Sequence, residues 1–244
     1  MKTVTVIPAR FGSTRFPGKV LAMLDGKPMI QHVYEKAKTS TSDACLIATD
    51  SEQVLTAAKT FGAEAVMTRT DHQSGTDRIF EAVEKRGFDL IINVQGDEPL
   101  LPTQVINELI EVMKSHPDLE MATVAVPLSR KEADDPNKVK VVFGNDHMAH
   151  YFSRAAIPFV REGGVEAPCY LHWGIYAYRA DVLKKFVSLP QSVHERCEKL
   201  EQLRALDNGI GIYVLLSNLE SVGVDTPADL AEAKKKLQSM KAGK

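Results

Sequence analysis

The first half of the chain alternates short, wholly apolar runs with longer stretches in which apolar residues recur at helical spacing. Residues 4–8, 44–49 and 90–95 read as buried strands, and residues 29–38, 52–61, 76–86 and 103–115 as amphipathic helices. This alternation predicts parallel strands joined by helical crossovers, with a site at the carboxyl ends of the strands. After Met121 the pattern changes to closely spaced β runs at 122–126, 139–143, 147–153 and 171–179. Such runs suit mixed or antiparallel strands that extend the sheet and form a lid or dimer surface. A last strand at 213–216 precedes a C-terminal helix that starts at Pro227, and the loose stretches are 161–168 and the Lys-rich tail. The expected fold is α/β: a Rossmann-like mixed, mostly parallel sheet flanked by helices, with a β-rich extension. No internal repeat is visible.

The run Val4-Thr5-Val6-Ile7 empties at once into Pro8-Ala9-Arg10-Phe11-Gly12-Ser13-Thr14-Arg15-Phe16-Pro17-Gly18-Lys19. A buried strand ending in a glycine-containing loop with Arg10, Arg15 and Lys19 is suited to a polyphosphate, so nucleotide binding is expected. It is not a standard P-loop, because five residues separate Gly12 from Gly18 and Val20 follows Lys19. Nor is it a dinucleotide fingerprint, since Gly12 has no glycine two residues on and Pro17 stiffens the loop. Two cations on one stiffened loop, Arg10 and Lys19, converge on charge lying above the sheet. Ser13 and the amides around Gly12 add donors. Ser74-Gly75-Thr76 opens a helix with Arg78 one turn in, which is either a further anion site or a plain helix cap.

Two carboxylates stand out. Asp97 follows a buried strand, with Gly96 permitting close approach and Pro99 blocking continuation, so it is placed either to hold Mg²⁺ against phosphate oxygens or to form a turn. Asp225 is not needed as a helix cap: Thr226 is the natural N-cap, Pro227 the first helical residue and Asp229 the capping-box partner. His147 and His150, three apart in a β-rich stretch, are expected on opposite faces and make a poor metal pair.

Length and charge narrow the class. At 244 residues with 44% hydrophobic positions the chain can bury a sizeable core, and one α/β domain over 1–244 is expected. A formal net charge of -2 argues against a broad nucleic-acid or membrane surface, so the target of the basic loop should be small and anionic. No apolar run approaches the roughly 18 residues of a membrane span, and no signal-peptide pattern opens the chain, so a cytoplasmic location is expected. Cys45, Cys169 and Cys197 are too few and too scattered for a disulfide framework or a zinc site, and read as reduced packing residues.

The string Ser13-Thr14-Arg15-Phe16-Pro17-Gly18-Lys19, followed by Gly26-Lys27-Pro28-Met29-Ile30, resembles the opening signature of sugar-activating nucleotidyltransferases, and within them the 3-deoxy-manno-octulosonate cytidylyltransferase family. The resemblance continues in Asp71 to Arg78, Val94-Gln95-Gly96-Asp97-Glu98-Pro99, Tyr151 to Ala155, Leu200-Glu201-Gln202-Leu203-Arg204 and Gly223-Val224-Asp225-Thr226-Pro227. It implies a sheet of the nucleotide-diphospho-sugar transferase type, with 1–120 mainly nucleotide-binding, 121–220 mainly sugar-binding and dimer-forming, and 221–244 carrying a metal aspartate and the last helix. It implies Mg²⁺ on Asp97 and Asp225, with these two, Arg10 and Lys19 as the catalytic set. The nucleotide contacts would be Arg10, Ser13, Arg15, Lys19, Ser74, Gly75, Thr76, Arg78 and Gln95. Sugar contacts would come from Arg154, His172, Tyr176, Glu201 and Gln202.

The partners implied are CTP, an octulosonic sugar acid and a second copy of the chain in a homodimer. The expected reaction is attack of the sugar's C2 hydroxyl on the α-phosphorus of CTP, giving a CMP-sugar for lipopolysaccharide synthesis and pyrophosphate. Phe16, Val20 and Trp173 depart from the family pattern; Trp173, beside the expected sugar contacts, leaves room for a modified sugar such as an 8-amino form. A CMP-sialate synthetase is the alternative within enzymes, but that family's first loop runs Ser-Lys-Gly where this chain has Ser13-Thr14-Arg15. A nucleotide-sugar glycosyltransferase would want an Asp-x-Asp motif that Gly96-Asp97-Glu98 lacks. A non-catalytic nucleotide-binding regulator would explain Arg10 and Lys19 but not Asp97 together with Asp225.

Overall fold

The computed structural model describes residues 1–12, 16–219 and 221–242. Packing divides the chain into two units, Met1–Ile110 with Glu220–Lys244, and Glu111–Leu219.

In chain order the first unit carries β1 (Thr3–Ala9), a two-stranded hairpin of β2 (Met23–Leu24) and β3 (Lys27–Pro28), α1 (Met29–Lys38), β4 (Ala44–Thr49), α2 (Glu52–Thr60), β5 (Glu64–Met67), α3 (Gly75–Val83), β6 (Leu90–Asn93) and the start of α4 (Thr103–Ser115). β1 pairs in parallel with β4 on one side and β6 on the other, and β4 pairs in parallel with β5. Val4, Val6 and Ile7 are fully buried, and Thr3 and Thr5 are too. Burial on both faces is what a parallel strand covered by helices requires, which is why the sequence runs apolar instead of alternating. With all four strands pointing the same way, the loops after β1, β4, β5 and β6 leave from one edge.

The second unit holds β7 (Met121–Leu128), β8 (Lys140–Phe143), β9 (Ala149–Ser153), β10 (Cys169–Arg179), α5 (Ala180–Ser188), α6 (Val193–Glu198), α7 (Leu203–Asp207) and β11 (Ile212–Leu216). β7 runs antiparallel to β10 and parallel to β11, and β8 is antiparallel to both β10 and β9, so the mixed pairing expected after Met121 is present. The β7–β10 register shifts between Trp173 and Tyr176. There the Thr123 hydroxyl bonds to the Trp173 and Ile175 carbonyls at 3.2 and 2.8 Å, satisfying groups that the interrupted ladder leaves over. The last helix, α8 (Pro227–Ala242), belongs to the first unit, where Ala233 is buried with Leu24, Met29, Leu100 and Val224, and Leu230 and Phe16 pack on that cluster.

Several expectations need correcting. The strand expected to 95 ends at Asn93, and the helix expected over 76–86 spans Gly75–Val83. β5 escaped notice because Glu64 opens it and the strand is only half-buried, so no apolar run marks it. His147 precedes β9 and has φ 62°, so the two-face alternation assumed for it and His150 does not apply. The His147 ring instead stacks on Tyr213, and Nδ1 lies 3.0 Å from the Val214 carbonyl. Cys197 is exposed and is not a packing residue, whereas Cys169 is buried.

Candidate active site

Three distant pieces of the first unit meet at one cation. Gly18 takes φ 69°, a left-handed conformation favouring glycine, and its amide closes the loop on the Phe11 carbonyl at 3.1 Å. That turn delivers Lys19, whose Nζ donates to Asp97 Oδ2 at 2.6 Å and to Asp225 Oδ1 at 2.9 Å. A third donation goes to the Val224 carbonyl at 3.2 Å. Asp97 reaches this point because Gly96 presses against the end of β1: a Cβ there would lie 3.0 Å from the Pro8 carbonyl oxygen and 3.3 Å from Ile30.

Asp225 is placed by the start of α8. Asp229 Oδ2 accepts the Thr226 and Asp225 amides at 2.8 and 3.0 Å, and the Thr226 hydroxyl accepts the Asp229 amide at 3.2 Å. The reciprocal cap read from the sequence is therefore formed, and the Asp225 carboxylate points to Lys19 and not into the helix end. Burial disfavours the Lys19 charge, but Asp97 and then Asp225 outweigh it and hold its pKa above the usual value. Lys19 is a permanent cation at neutral pH.

These residues border a cavity of about 310 Å³ whose lining includes Arg10, Lys19, Ser74, Gly75, Gln95 and Asp97. Asp225 and Arg78 also line it. Arg78 is nearly inaccessible, with one guanidinium nitrogen 2.7 Å from Asp50 Oδ2 and the other 2.5 Å from the Thr68 hydroxyl. Gln95 is held by Asn93 at 3.0 Å. Ser74 caps α3 reciprocally with Asp77, and the same carboxylate also lies 3.0 Å from the Ser74 hydroxyl, so that hydroxyl is already engaged. Thr76 is buried and is not among the lining residues. Ser13 and Arg15 lie outside the described residues.

In the second unit the residues nominated for the sugar separate. His172 and Tyr176 rings lie 5.4 Å apart, with His172 Nε2 3.0 Å from the Thr123 hydroxyl. Burial pushes the His172 pKa down to about 3, so the ring is neutral at physiological pH. Burial raises the Tyr176 pKa well above its usual value, with Tyr178 and Glu201 adding to the shift, which places Glu201 in the same neighbourhood. Gln202 is buried, and Glu201 lies 3.7 Å from Arg204. Arg154 spends its guanidinium on the backbone carbonyls of Glu198, Pro136 and Lys199 at 2.7, 2.9 and 3.4 Å.

Residues not nominated from the sequence also shape the site. Asp50 follows β4 at the same sheet edge as Asp97, a position that marked it as a candidate by the same rule. His72 lines the cavity, fixed by a hydrogen bond to Glu81. Glu98 lies next to Asp97, and burial pushes its carboxyl up to about 7; Asp97 and Asp225 add to the shift, while Ser221 and Lys19 oppose it.

The parallel strands thus bring Arg10, Lys19 and Asp97 to one cavity, which Asp225 lines from the start of α8, an arrangement suited to a nucleotidyltransferase. The sequence model of the cytidylyltransferase family matches residues 4–214, and the chain belongs to that family. It is 49% identical to the 3-deoxy-manno-octulosonate cytidylyltransferase of Thermodesulfovibrio yellowstonii, across 98% of this chain and 99% of that one. It is 48% identical to the 8-amino-3,8-dideoxy-manno-octulosonate cytidylyltransferase of Shewanella amazonensis, across 98% and 99%. Among solved structures it matches a CMP:2-keto-3-deoxy-manno-octonic acid synthetase complexed with CTP, with TM-score 0.95 and 44% identity over 98% of this chain and 100% of the other. The fold class expected from the sequence is therefore present.

Proposed function

We propose that the chain transfers CMP from CTP to the anomeric hydroxyl of 3-deoxy-D-manno-octulosonate or a close analogue such as its 8-amino form, releasing pyrophosphate. The observation that carries this is the meeting of Asp97 and Asp225 at Lys19, beside Arg10, on a cavity that Gly75 at the N-terminus of α3 also lines. Attack of the C2 oxygen on the α-phosphorus and departure of pyrophosphate require little covalent help from the protein; alignment and charge compensation dominate. Arg10 and Lys19 compensate the triphosphate and the charge that develops on the leaving pyrophosphate. Gly75 and the first turn of α3 offer amide donors.

The two carboxylates fit Mg²⁺. They share one cation already, the Lys19 ammonium, and their side chains are 31% and 50% exposed, leaving room for water and phosphate oxygens. Among the described residues no three His, Cys, Asp or Glu cluster as a protein-only metal cage, so the remaining ligands would come from solvent and substrate. Mg²⁺ held there supplies charge neutralisation on the phosphates and lowers the pKa of the attacking hydroxyl. Sugar contacts are assigned to His172, Tyr176 and Glu201, with Gln202 adjacent in sequence to Glu201. Among the described residues no helix is long and apolar enough to cross a membrane. The family resemblance carries three further parts of the reading: a cytoplasmic location, a homodimer, and use of the product in lipopolysaccharide synthesis.

The test is pyrophosphate release with CTP and Mg²⁺ against a panel of the octulosonate, its 8-amino form and a sialic acid. Release with either octulosonate and not with the sialic acid is expected. Release with the sialic acid alone, or none with any acceptor, overturns the assignment.

A further inference from the structure

Two carboxylates that repel one another must be held close together, and one of them, Asp225, follows residues 221–224, which form no helix or strand. Three attachments tie that stretch to the Asp97 turn. The Ser221 hydroxyl donates to Glu98 Oε2 at 2.6 Å. Gly223 packs so closely that a Cβ there would lie 3.0 Å from Glu98 Oε1. The Val224 amide donates to the Asp97 carbonyl at 2.9 Å, and the Val224 side chain is buried among Leu24, Met29, Leu100 and Ala233. Glu98 is not among the residues lining the cavity. Its carboxylate instead faces the segment that leads into Asp225.

We infer that Glu98 is a positioning residue: through Ser221 it straps the 221–224 segment to the Asp97 turn and so presents Asp225 to the same cation as Asp97. The inference rests on the proposed pairing of Asp97 and Asp225 around a divalent ion. Lys19 alone cannot supply this order, because its flexible ammonium stem follows the carboxylates wherever they lie, whereas the strap holds the chain at Ser221, four residues before Asp225. Glu98 acts here through its shape as a hydrogen-bond acceptor, which glutamine retains and alanine does not.

The experiment measures Mn²⁺ retained by the full-length protein with CTP bound, as loss of the free-ion EPR signal relative to a CTP-only blank, alongside KM for Mg²⁺ and kcat. Ser221→Ala removes one hydroxyl and keeps the fold testable even if Glu98→Ala does not express. Both variants should weaken Mn²⁺ retention about 10-fold and raise KM for Mg²⁺ by a similar factor, with a smaller change in kcat. Glu98→Gln should stay within about 2-fold of the parent, because the Ser221 hydrogen bond survives.

Ser221→Ala and Glu98→Ala both matching the parent would overturn the strap. So would Glu98→Gln weakening as much as Glu98→Ala, since charge and not position would then be the active property. Asp97→Asn is the separate control. If it leaves Mn²⁺ retention unchanged, or the parent retains none above the blank, the two-carboxylate reading itself falls and the strap with it.

Discussion

Charged groups in the two units are used in opposite ways. In the first unit Lys19, Asp97 and Asp225 come from three remote places in the chain, their carboxylates are partly open to solvent, and they border a cavity. In the second unit several charged groups are turned inward. Arg204 and Glu195 form a two-point ion pair at 2.9 and 2.6 Å with both side chains almost inaccessible, and Arg204 also lies 5.0 Å from the Phe186 ring. Lys140 is fully buried and donates to the Asp135 and Arg154 carbonyls, with burial lowering its pKa. One set of charges is left available to a ligand, while the other is consumed in holding backbone and helices together.

The largest effect should come from the buried pair. Glu195→Ala takes the Glu195 carboxylate from the Arg204 guanidinium and removes the side-chain half of the reciprocal cap at the start of α6, where the Ser192 amide donates to Glu195 Oε2. A loss of about 3–5 kcal/mol in urea denaturation is expected. Turnover per folded molecule should hold. Replacing both partners with Leu should recover part of the stability, because neither member of the pair is then left as a buried unpaired charge, although Glu201 loses Arg204 as a neighbour 3.7 Å away. If the single variant unfolds at the parent's urea midpoint, inward-facing charge is not structural in this unit.

Next in size is the mirror image in the first unit. Asp97→Asn keeps the shape and a hydrogen-bonding oxygen but removes the charge facing Lys19. Turnover should fall on the order of 10²-fold or more, equivalent to about 2.7 kcal/mol in the barrier, while the denaturation midpoint barely moves. Near-normal turnover would remove Asp97 from the chemistry and erase the contrast between the units.

What was legible in the sequence follows the same division. β1, β4, α1 and α4 could be read because apolar runs and helical spacing are dictated by burial, and the carboxylates because strand ends and spent capping positions are visible as residue types. The β2–β3 hairpin was missed although Asp25-Gly26 marks it: both residues have positive φ, as a two-residue hairpin turn requires. α6 was missed despite the Ser192 and Glu195 cap, because six residues are too few to show a period. That Arg154 would bond to backbone carbonyls, and that Ser74 would be occupied by Asp77, depends on side-chain neighbours brought in by tertiary folding. Spacing along the chain does not encode those choices.

The smallest effect on catalysis tests whether His172 sides with the fold or with a ligand. Its ring has lost hydration against Phe152 and Tyr176, and its pKa of about 3 lies below the ordinary 6.5. Between those values the unfolded chain takes up a proton that the folded ring refuses. The stability contributed by the neutral ring is therefore complete above pH 6.5 and is lost as pH falls toward 3, by at most about 1.4 kcal/mol per pH unit. His172→Gln cannot titrate, yet it can still bond to the Thr123 hydroxyl. Urea midpoints measured at pH 7 and pH 4.5 should fall less for the variant than for the parent. Equal falls would show that the ring is protonated without penalty and is not enclosed as described. KM for the sugar acid at pH 7 then separates the two allegiances: a neutral imidazole cannot form an ion pair with the substrate carboxylate, so a sugar-facing His172 should raise KM a few-fold on replacement, whereas a purely structural one should leave it unchanged.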